Sequence, residues 1–179
     1  MTKEELRQKT ISAISPGSDK NKVALQKMLA RLKEYGFNIS SDIYSADIVI
    51  VNTCAFIQPA QEEAIMNILE MEKLKADGII EKVIVTGCFP ERNFNSMTEN
   101  FPTIDKFLRL KDNENICSII EILYNVSPSK PLKKYERVLT NSPSYAYLKI
   151  ADGCDNVCSY CTIPRIRGRY KSEKMEDII

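Results

Sequence analysis

The chain has 179 residues with 25 Lys and Arg against 24 Asp and Glu, so its near-neutral charge gives no general attraction to nucleic acid or membranes. With 44% hydrophobic residues it can form a core, and no apolar run approaches the roughly 18 residues that a membrane-spanning helix needs. The absence of histidine excludes His-dependent triads, Cys–His nucleophiles and mixed Cys/His zinc sites. The chain starts without an apolar signal segment, and we expect a cytoplasmic protein without membrane contact.

The first two thirds of the chain alternate short apolar runs with helical patterns. Two of these runs, 47–54 and 82–88, are apolar without alternation, which is typical of strands buried on both faces of a parallel sheet. The sequence therefore predicts an α/β fold with a doubly wound parallel sheet. The predicted strands are 10–15, 47–54, 82–88 and 105–110, and the predicted helices are about 21–35, a stretch from Pro59 to a stop near Gly78, and about 113–124.

Prolines and polar residues interrupt this pattern after residue 126. We predict an N-terminal α/β domain over 1–126, a linker over 127–144 and the start of a second domain over 145–179. Within the last segment, 145–150 is predicted to form a strand that leads into a cysteine-rich loop, and Ser172 to cap a further helix. One strand, one loop and two helical turns are too little for an independent core, so this second domain is expected to be incomplete.

Cys154, Cys158 and Cys161 have the spacing CxxxCxxC after the predicted strand. Three thiolates on a cubane iron–sulfur cluster leave one iron open to a substrate or cofactor, whereas four thiolates would give a plain electron carrier. No fourth thiol follows, since the run after Cys161 is Thr-Ile-Pro. Two other interpretations stay open: a structural zinc completed by a distant cysteine, and three cysteines that share no ligand.

The segment around these cysteines resembles the radical S-adenosylmethionine methylthiotransferases. The runs 145–154 and 163–168 are similar to the RimO-type enzymes, which modify an aspartate of a small-subunit ribosomal protein, and the tRNA-modifying MiaB-type enzymes are the second possibility. The first half of the chain carries further family landmarks: Asp-Lys-Asn at 19–21, Val-Asn-Thr-Cys at 51–54 and Val-Thr-Gly-Cys at 85–88. The resemblance therefore covers essentially the whole chain.

The resemblance implies that Cys154, Cys158 and Cys161 hold a 4Fe–4S cluster whose open iron chelates S-adenosylmethionine. It also implies that residues 145–179 begin a radical S-adenosylmethionine (βα) barrel, truncated here, and that Tyr160 lies near the adenine. Packing of Tyr160 under the loop is a second role for that residue, and both can be true together. The expected substrate is a ribosomal small-subunit protein, with tRNA as the alternative, and the expected electron donor is a flavodoxin or ferredoxin.

In the family, three cysteines of the first domain hold an auxiliary cluster, and the matching positions here are Ser18, Cys54 and Cys88. Each follows a predicted parallel strand, so all three are expected at one sheet edge, provided that the strands are neighbours. A neutral serine hydroxyl is a much poorer iron ligand than a thiolate, so the auxiliary site is expected to be labile or incomplete. Small apolar roles for Cys54 and Cys88 stay open. Ser18 is compatible with an engineered change and with natural loss of a ligand.

Two further features stand outside these sites. Cys117 lies in a helical apolar pattern and is predicted to be a buried hydrophobe. The basic run Arg165, Arg167, Arg169 and Lys171 follows the cysteine loop. It is interpreted either as a contact for an acidic protein or RNA phosphates, or as a solvated strand edge.

Three functions remain open from the sequence. The chain is a methylthiotransferase, an iron–sulfur binding or electron-transfer module without radical chemistry, or a degenerate relative without turnover. Because its barrel is incomplete, we expect the 179-residue chain alone to be inactive.

Overall fold

The computed structural model describes residues 1–130, 137–140 and 144–178. In these ranges the helices are α1 (Lys3–Arg7), α2 (Asp19–Tyr35), α3 (Gln58–Ala76), α4 (Cys88–Asn100), α5 (Ile116–Leu123), α6 (Ile163–Arg167) and α7 (Met175–Ile178). The strands are β1 (Thr10–Ile14), β2 (Asn38–Ser40), β3 (Ile48–Thr53), β4 (Lys82–Gly87), β5 (Lys106–Phe107), β6 (Ala151–Asp152) and β7 (Lys171–Ser172). None of the helices in the described ranges is both long and apolar enough to span a membrane.

Strands β1 to β5 form one parallel sheet in the order β2-β1-β3-β4-β5. The central strand β3 lies between β1 and β4, and its Ile50 is in register with Ala13 on one side and Ile84 on the other. Strands β1 and β2 lie on one side of β3, and strands β4 and β5 lie on the other. The predicted α/β class with a parallel central sheet is confirmed.

Helices cover both faces of the sheet because the side chains of each central strand alternate between two cores. Val49 and Val51 of β3 pack on the face that α3 and α4 cover. Ile48 and Ile50 of the same strand pack on the opposite face, which α2 and α5 cover. All four side chains are buried, and each contributes about 1.5–3 kcal/mol by leaving water.

Several boundaries differ from the sequence pattern, which does not indicate β2 or α4. β2 has only three residues, two of them polar, and α4 begins directly at Cys88 with a proline in its first turn. The strand predicted over 105–110 is reduced to the two residues of β5. The helix predicted from about residue 113 begins at Ile116, after a 3₁₀ helix over Leu110–Asn115.

The strand predicted over 145–150 is wrong, since these described residues form no regular strand. Instead, β6 and β7 pair antiparallel with each other at the two ends of the cysteine-loop segment. Leu148 and Ile150 are 61% and 62% exposed, so no core among the described residues buries this apolar run. Ser172 lies in β7 rather than capping a helix, and α7 begins at Met175. The barrel start over 145–179 stays a prediction.

Parts of the predicted linker, 131–136 and 141–143, lie outside the described residues. Its described parts contact residues that precede it and residues that follow it in the chain. The backbone N–H of Ser129 donates to Glu121 Oε2 at 2.6 Å, and Arg137 donates both to Gln26 Oε1 and to the carbonyl oxygen of Tyr147. The division into 1–126, 127–144 and 145–179 stays a prediction.

Asp105 connects α3 with the start of β4, and its carboxylate accepts hydrogen bonds from Lys75 Nζ at 2.5 Å, Lys82 Nζ at 2.9 Å and the Val83 N–H at 2.9 Å. Burial alone raises the pKa of this carboxyl, but these three hydrogen bonds lower it below its ordinary value of 3.8.

We predict that Asp105→Asn lowers the free energy of unfolding by about 1–3 kcal/mol at neutral pH, as measured by urea denaturation. A lowered pKa stabilises the fold above the pKa of the unfolded state and loses that effect as the pH falls. The difference between variant and wild type should therefore shrink as the pH falls below 3.8.

The matched control is Asp77→Asn, which changes an exposed carboxyl at the end of α3. It should alter stability by less than about 0.5 kcal/mol. A loss in Asp105→Asn that is the same in acid and at neutral pH would contradict the ionic explanation.

Gly87 is the last residue of β4 and has a φ of +102°, in the left-handed region. A Cβ placed there would lie 2.2 Å from the carbonyl oxygen of Thr53 and 2.7 Å from its nitrogen, so a side chain does not fit. Gly78 also has a positive φ, of +73°, but a Cβ there would meet no atom within 4 Å.

We predict that Gly87→Ala lowers the free energy of unfolding by more than about 3 kcal/mol, whereas Gly78→Ala lowers it by about 1 kcal/mol. Urea denaturation of both variants compares them directly, and equal losses would show that the close approach of β3 and β4 is not the constraint.

Candidate functional site at the carboxyl edge of the sheet

The three family positions of the first half converge at one sheet edge. Strands β1, β3 and β4 are parallel neighbours, so their carboxyl ends meet side by side, and Ser18, Cys54 and Cys88 follow these ends. The loops touch closely, because a Cβ on Gly17 would lie 2.5 Å from Cys54 Cβ and 3.6 Å from Cys54 Sγ. The expectation that the three strands are neighbours is confirmed. The role of these residues as cluster ligands stays a prediction.

Ser18 occupies the N-cap position of α2 without making the capping hydrogen bond that serine commonly makes there. Its Oγ is buried and has no hydrogen-bond partner among the described residues. Ser18 and Cys54 line an open cleft of about 660 Å³ together with Phe56 and Glu63. A hydroxyl thus stands, without a local structural task, at the position where the family has its third thiol.

Asn21, in the first turn of α2, connects the loops at this edge through hydrogen bonds. Its side-chain amide nitrogen donates to the backbone carbonyl oxygen of Thr53 at 2.7 Å. The backbone carbonyl oxygen of Asn21 accepts a hydrogen bond from Asn52 Nδ2 at 2.5 Å. The thiol of Cys88 donates to Asn21 Oδ1 at 3.6 Å. The landmarks at 19–21 and 51–54 therefore place polar side chains that fix the loops around the two cysteines.

Arg167 reaches this edge from the cysteine-loop segment. Its side chain is only 3% exposed, and its Nη2 donates to Asn21 Oδ1 and, at 3.4 Å, to Cys88 Sγ. Its Nη1 donates to both carboxylate oxygens of Asp152, at 3.2 and 3.0 Å. The guanidinium also lies 5.7 Å from the centre of the Phe56 ring.

The interpretation of 165–171 as one basic surface run is wrong for Arg167. The other three members, Arg165, Arg169 and Lys171, are exposed, whereas Arg167 ends the short helix α6 and points into the protein. Of the three, only Lys171 lies in a strand. The sequence signal that separates Arg167 from its neighbours is weak: it is the last helical residue between a helix-starting Pro164 and a helix-ending Gly168.

Arg167 affects the pKa values of two groups at this edge, the Asp152 carboxyl and the Cys88 thiol. Burial alone raises the pKa of Asp152, but the hydrogen bond from Lys149 and the charge of Arg167 lower it to about 2, so the carboxylate is ionised at neutral pH. Burial also raises the pKa of the Cys88 thiol, and the charge and hydrogen bond of Arg167 oppose this effect only in part. In the protein without metal, Cys88 is therefore a neutral thiol at pH 7.

The base of the cysteine loop is fixed by backbone contacts. Gly153 has a φ of +73°, and a Cβ there would lie 2.0 Å from the carbonyl oxygen of Arg169. The N–H of Cys154 donates to the carbonyl oxygen of Gly168 at 3.1 Å. The loop thus starts after β6, an antiparallel strand, and not after the predicted strand over 145–150.

The tip of the same loop is open. Cys158 is exposed, Cys154 and Cys161 are half-buried, and the N–H of Cys161 donates to the carbonyl oxygen of Cys158 at 3.1 Å. The Asn156 amide lies 3.6 Å from Cys154 Sγ, as a donor. Tyr160 is 88% exposed, so its packing under the loop is wrong, and its ring is free to meet a ligand.

The chemistry of the donors fits a thiolate-bound cluster at this loop, because all three cysteines are free thiols on a short, accessible segment. Their geometry is not yet that of a ligand set. In the described part of the chain, no three Cys, His, Asp or Glu side chains are arranged to hold a metal ion. The sheet edge offers two sulfurs and one hydroxyl, which fits an incomplete second site.

Cys117 lies away from both sets, in α5 on the opposite face of the sheet. It is buried, and burial together with the charge of Glu121 raises its pKa to about 12. Its prediction as a buried hydrophobe is confirmed.

Comparison with known proteins shows which family the chain belongs to. Residues 10–109 match the family described as "Uncharacterized protein family UPF0004". The chain is 43% identical to the ribosomal protein uS12 methylthiotransferase RimO of a Thermoanaerobacter species, over 96% of this chain and 41% of that protein. It is 41% identical to the protein of that name from Elusimicrobium minutum, and 39% identical to the one from Geobacter sulfurreducens, in each case over 94% of this chain and 40% of the relative.

The chain thus spans about two fifths of the length of the curated relatives that it matches. The family match covers more than half of the chain and includes β1, β3 and β4 with the residues that follow them. The chain therefore belongs to protein family UPF0004, and the resemblance to RimO-type methylthiotransferases that its motifs indicate is confirmed.

Proposed function

We propose that this chain provides the cluster-binding part of a methylthiotransferase that modifies an aspartate of ribosomal protein uS12. Similarity to RimO-type proteins over almost the entire chain supports this proposal. The observation that carries it is a set of three free thiols on one accessible loop, whose base is held against a sheet edge with two further cysteines. The proposed setting is the cytoplasm.

Cys154, Cys158 and Cys161 would bind three irons of a 4Fe–4S cluster and leave the fourth iron open for the amino and carboxylate groups of S-adenosylmethionine. When bound and reduced, the cluster held by these three cysteines would supply one-electron reduction of S-adenosylmethionine and so start radical chemistry. A donor such as flavodoxin or ferredoxin would deliver the electron.

The chain's own residues would position the reactants. Asn156 donates toward Cys154 Sγ and would stabilise negative charge on that sulfur. The exposed ring of Tyr160, next to Cys161, would lie against the adenine. The fixed loop base at Gly153 would keep the cluster at a constant place while the tip closes.

Cys54 and Cys88 would form the auxiliary site, with Ser18 at the third family position. A serine hydroxyl is neutral at pH 7 and binds iron weakly, so two thiolates alone would hold an auxiliary cluster poorly. This chain would therefore bind one cluster firmly and a second one only in labile form.

Replacing one loop cysteine tests the ligand assignment. After anaerobic reconstitution of the reduced chain, we expect about four iron atoms per chain in the wild type and close to none at the loop in Cys158→Ala. Cys117→Ala is the matched control and should leave iron content unchanged, because Cys117 lies on the other face. Iron and sulfide are counted chemically, and the reduced cluster is observed by EPR with and without S-adenosylmethionine.

A change in the EPR spectrum on adding S-adenosylmethionine supports the open iron. An unchanged spectrum with full cysteine coordination would favour an electron-transfer module instead. Iron content that survives Cys158→Ala would overturn the ligand assignment.

Restoring a thiol at position 18 tests the auxiliary site. Ser18→Cys should raise the iron content from about four to about eight atoms per chain, because a third thiolate would stand beside Cys54 and Cys88. The Ser18 hydroxyl makes no hydrogen bond in the described structure, so its replacement should not destabilise the fold. Ser45→Cys, at an exposed site, controls for non-specific iron on an added thiol. An equal increase in both variants would remove the case for an auxiliary site.

The substrate is identified in cells that possess or lack the gene. Mass spectrometry of ribosomal protein uS12 should show loss of the methylthio group when the gene is absent. If tRNA loses the modification while uS12 is unchanged, the MiaB-type activity is correct and the proposed substrate is wrong.

A further inference from the structure

Arg167 is a buried cation to which neither the ligand assignment nor the proposed chemistry gives a task. Burying an arginine is costly unless each donor is used, and its Nε has no hydrogen-bond partner among the described residues. Such an arrangement persists when the contacts of the remaining donors are needed for something beyond stability.

The two terminal nitrogens of Arg167 serve different parts of the molecule. Nη1 donates to Asp152, which directly precedes Gly153 and the first loop cysteine. Nη2 donates to Asn21 and to Cys88 Sγ at the sheet edge. One guanidinium therefore bridges the base of the cysteine loop and the edge that carries Cys54 and Cys88.

Other contacts to Asp152 are weaker substitutes for this bridge. Lys149 donates to Asp152 from the same segment, at 2.7 Å, and so cannot join it to the edge. Lys20 does reach it from α2, but its Nζ is 3.5 Å away and its side chain is 46% exposed, so water and salt screen this pair. Ile166, next to Arg167, is 5% exposed and anchors α6 in the core under α3 and α4.

We propose that Arg167 is a positioning residue that clamps the base of the cysteine loop onto the sheet edge and covers the Cys88 sulfur. The inference deepens the proposed function and depends on it only where it treats both sets as ligands. The clamp itself rests on the contacts of Arg167 with Asp152, Asn21 and Cys88.

Only arginine has the geometry for this task. Its planar fork presents two terminal nitrogens to acceptors on opposite sides, whereas a lysine ammonium is a single point charge. Arg167→Lys should therefore keep one of the two attachments and lose the other, and Arg167→Ala should lose both.

The test measures alkylation of each cysteine by a maleimide in the reduced, metal-free chain, with the labelled peptides quantified by mass spectrometry. Cys88 is fully buried in the wild type and should react slowly. In Arg167→Ala its labelling should become roughly tenfold faster, because the cover over the sulfur opens, and Arg167→Lys should be intermediate. Removing a nearby positive charge would by itself slow attack by this thiol, so faster labelling reports loss of cover.

Two internal references separate the clamp from general stability. Cys117 is buried on the other face and should react equally slowly in all variants unless the whole fold opens. Arg165→Ala removes an exposed arginine from the same helix and should leave Cys88 labelling unchanged. Joint acceleration of Cys88 and Cys117 in Arg167→Lys would make Arg167 an ordinary stabilising residue and overturn the proposal, as would unchanged Cys88 labelling in Arg167→Ala.

A second measurement uses the reconstituted chain. The three loop thiols are intact in Arg167→Lys, so the iron content of the loop should be retained, while the EPR spectrum should broaden as the cluster loses its fixed surroundings. A spectrum identical to the wild type would contradict the clamp. If no iron binds to the wild type, the proposed function fails, but the alkylation result still decides the role of Arg167.

Discussion

The side-by-side parallel pairing of β1, β3 and β4 is the constraint on which the site depends. Parallel strands in one sheet end at the same edge, so segments more than thirty residues apart in sequence are brought together without any local motif. Gly87 permits the closest part of this approach, since the backbone of β3 occupies the space where a side chain would stand. The position of Cys88 relative to Cys54 follows from that packing, and the docking of the cysteine loop follows from the position of Cys88 and Asn21.

The sequence predicts much of this arrangement, and the predictions that are wrong have physical causes. The uniform apolar runs of β3 and β4, which alternate with helical patterns, predict strands that are buried on both faces of a parallel sheet. The run at 145–150 also contains apolar residues, but it forms no regular strand in the described structure, and apolar content alone does not form a ladder. β2 is too short and too polar to register as a strand, although β1 supplies a full ladder for it.

The residues of the candidate site also divide into those that the sequence indicates and those that it does not. Cysteine spacing indicates the loop at 154–161, and the resemblance indicates Cys54 and Cys88 through the short runs 51–54 and 85–88, because both signals are local. Arg167 is hidden because its partners Asn21 and Cys88 lie 146 and 79 residues away in sequence. A charge run in sequence gives no indication that one member turns inward, since burial of a single arginine depends on acceptors that only the folded chain assembles.

The contrast between a fixed loop base and an open tip has a consequence for how ligation is driven. Ordering a residue costs roughly 1–2 kcal/mol of backbone entropy, and this cost falls only on the part of the loop that is still free to move. Residues 153–154 are already held by the backbone of 168–169, whereas Val157 and Tyr160 are 93% and 88% exposed. If the loop cysteines bind a cluster as proposed, folding would already have met the entropic cost of ordering the loop base, and the metal–sulfur bonds would have to order the tip alone.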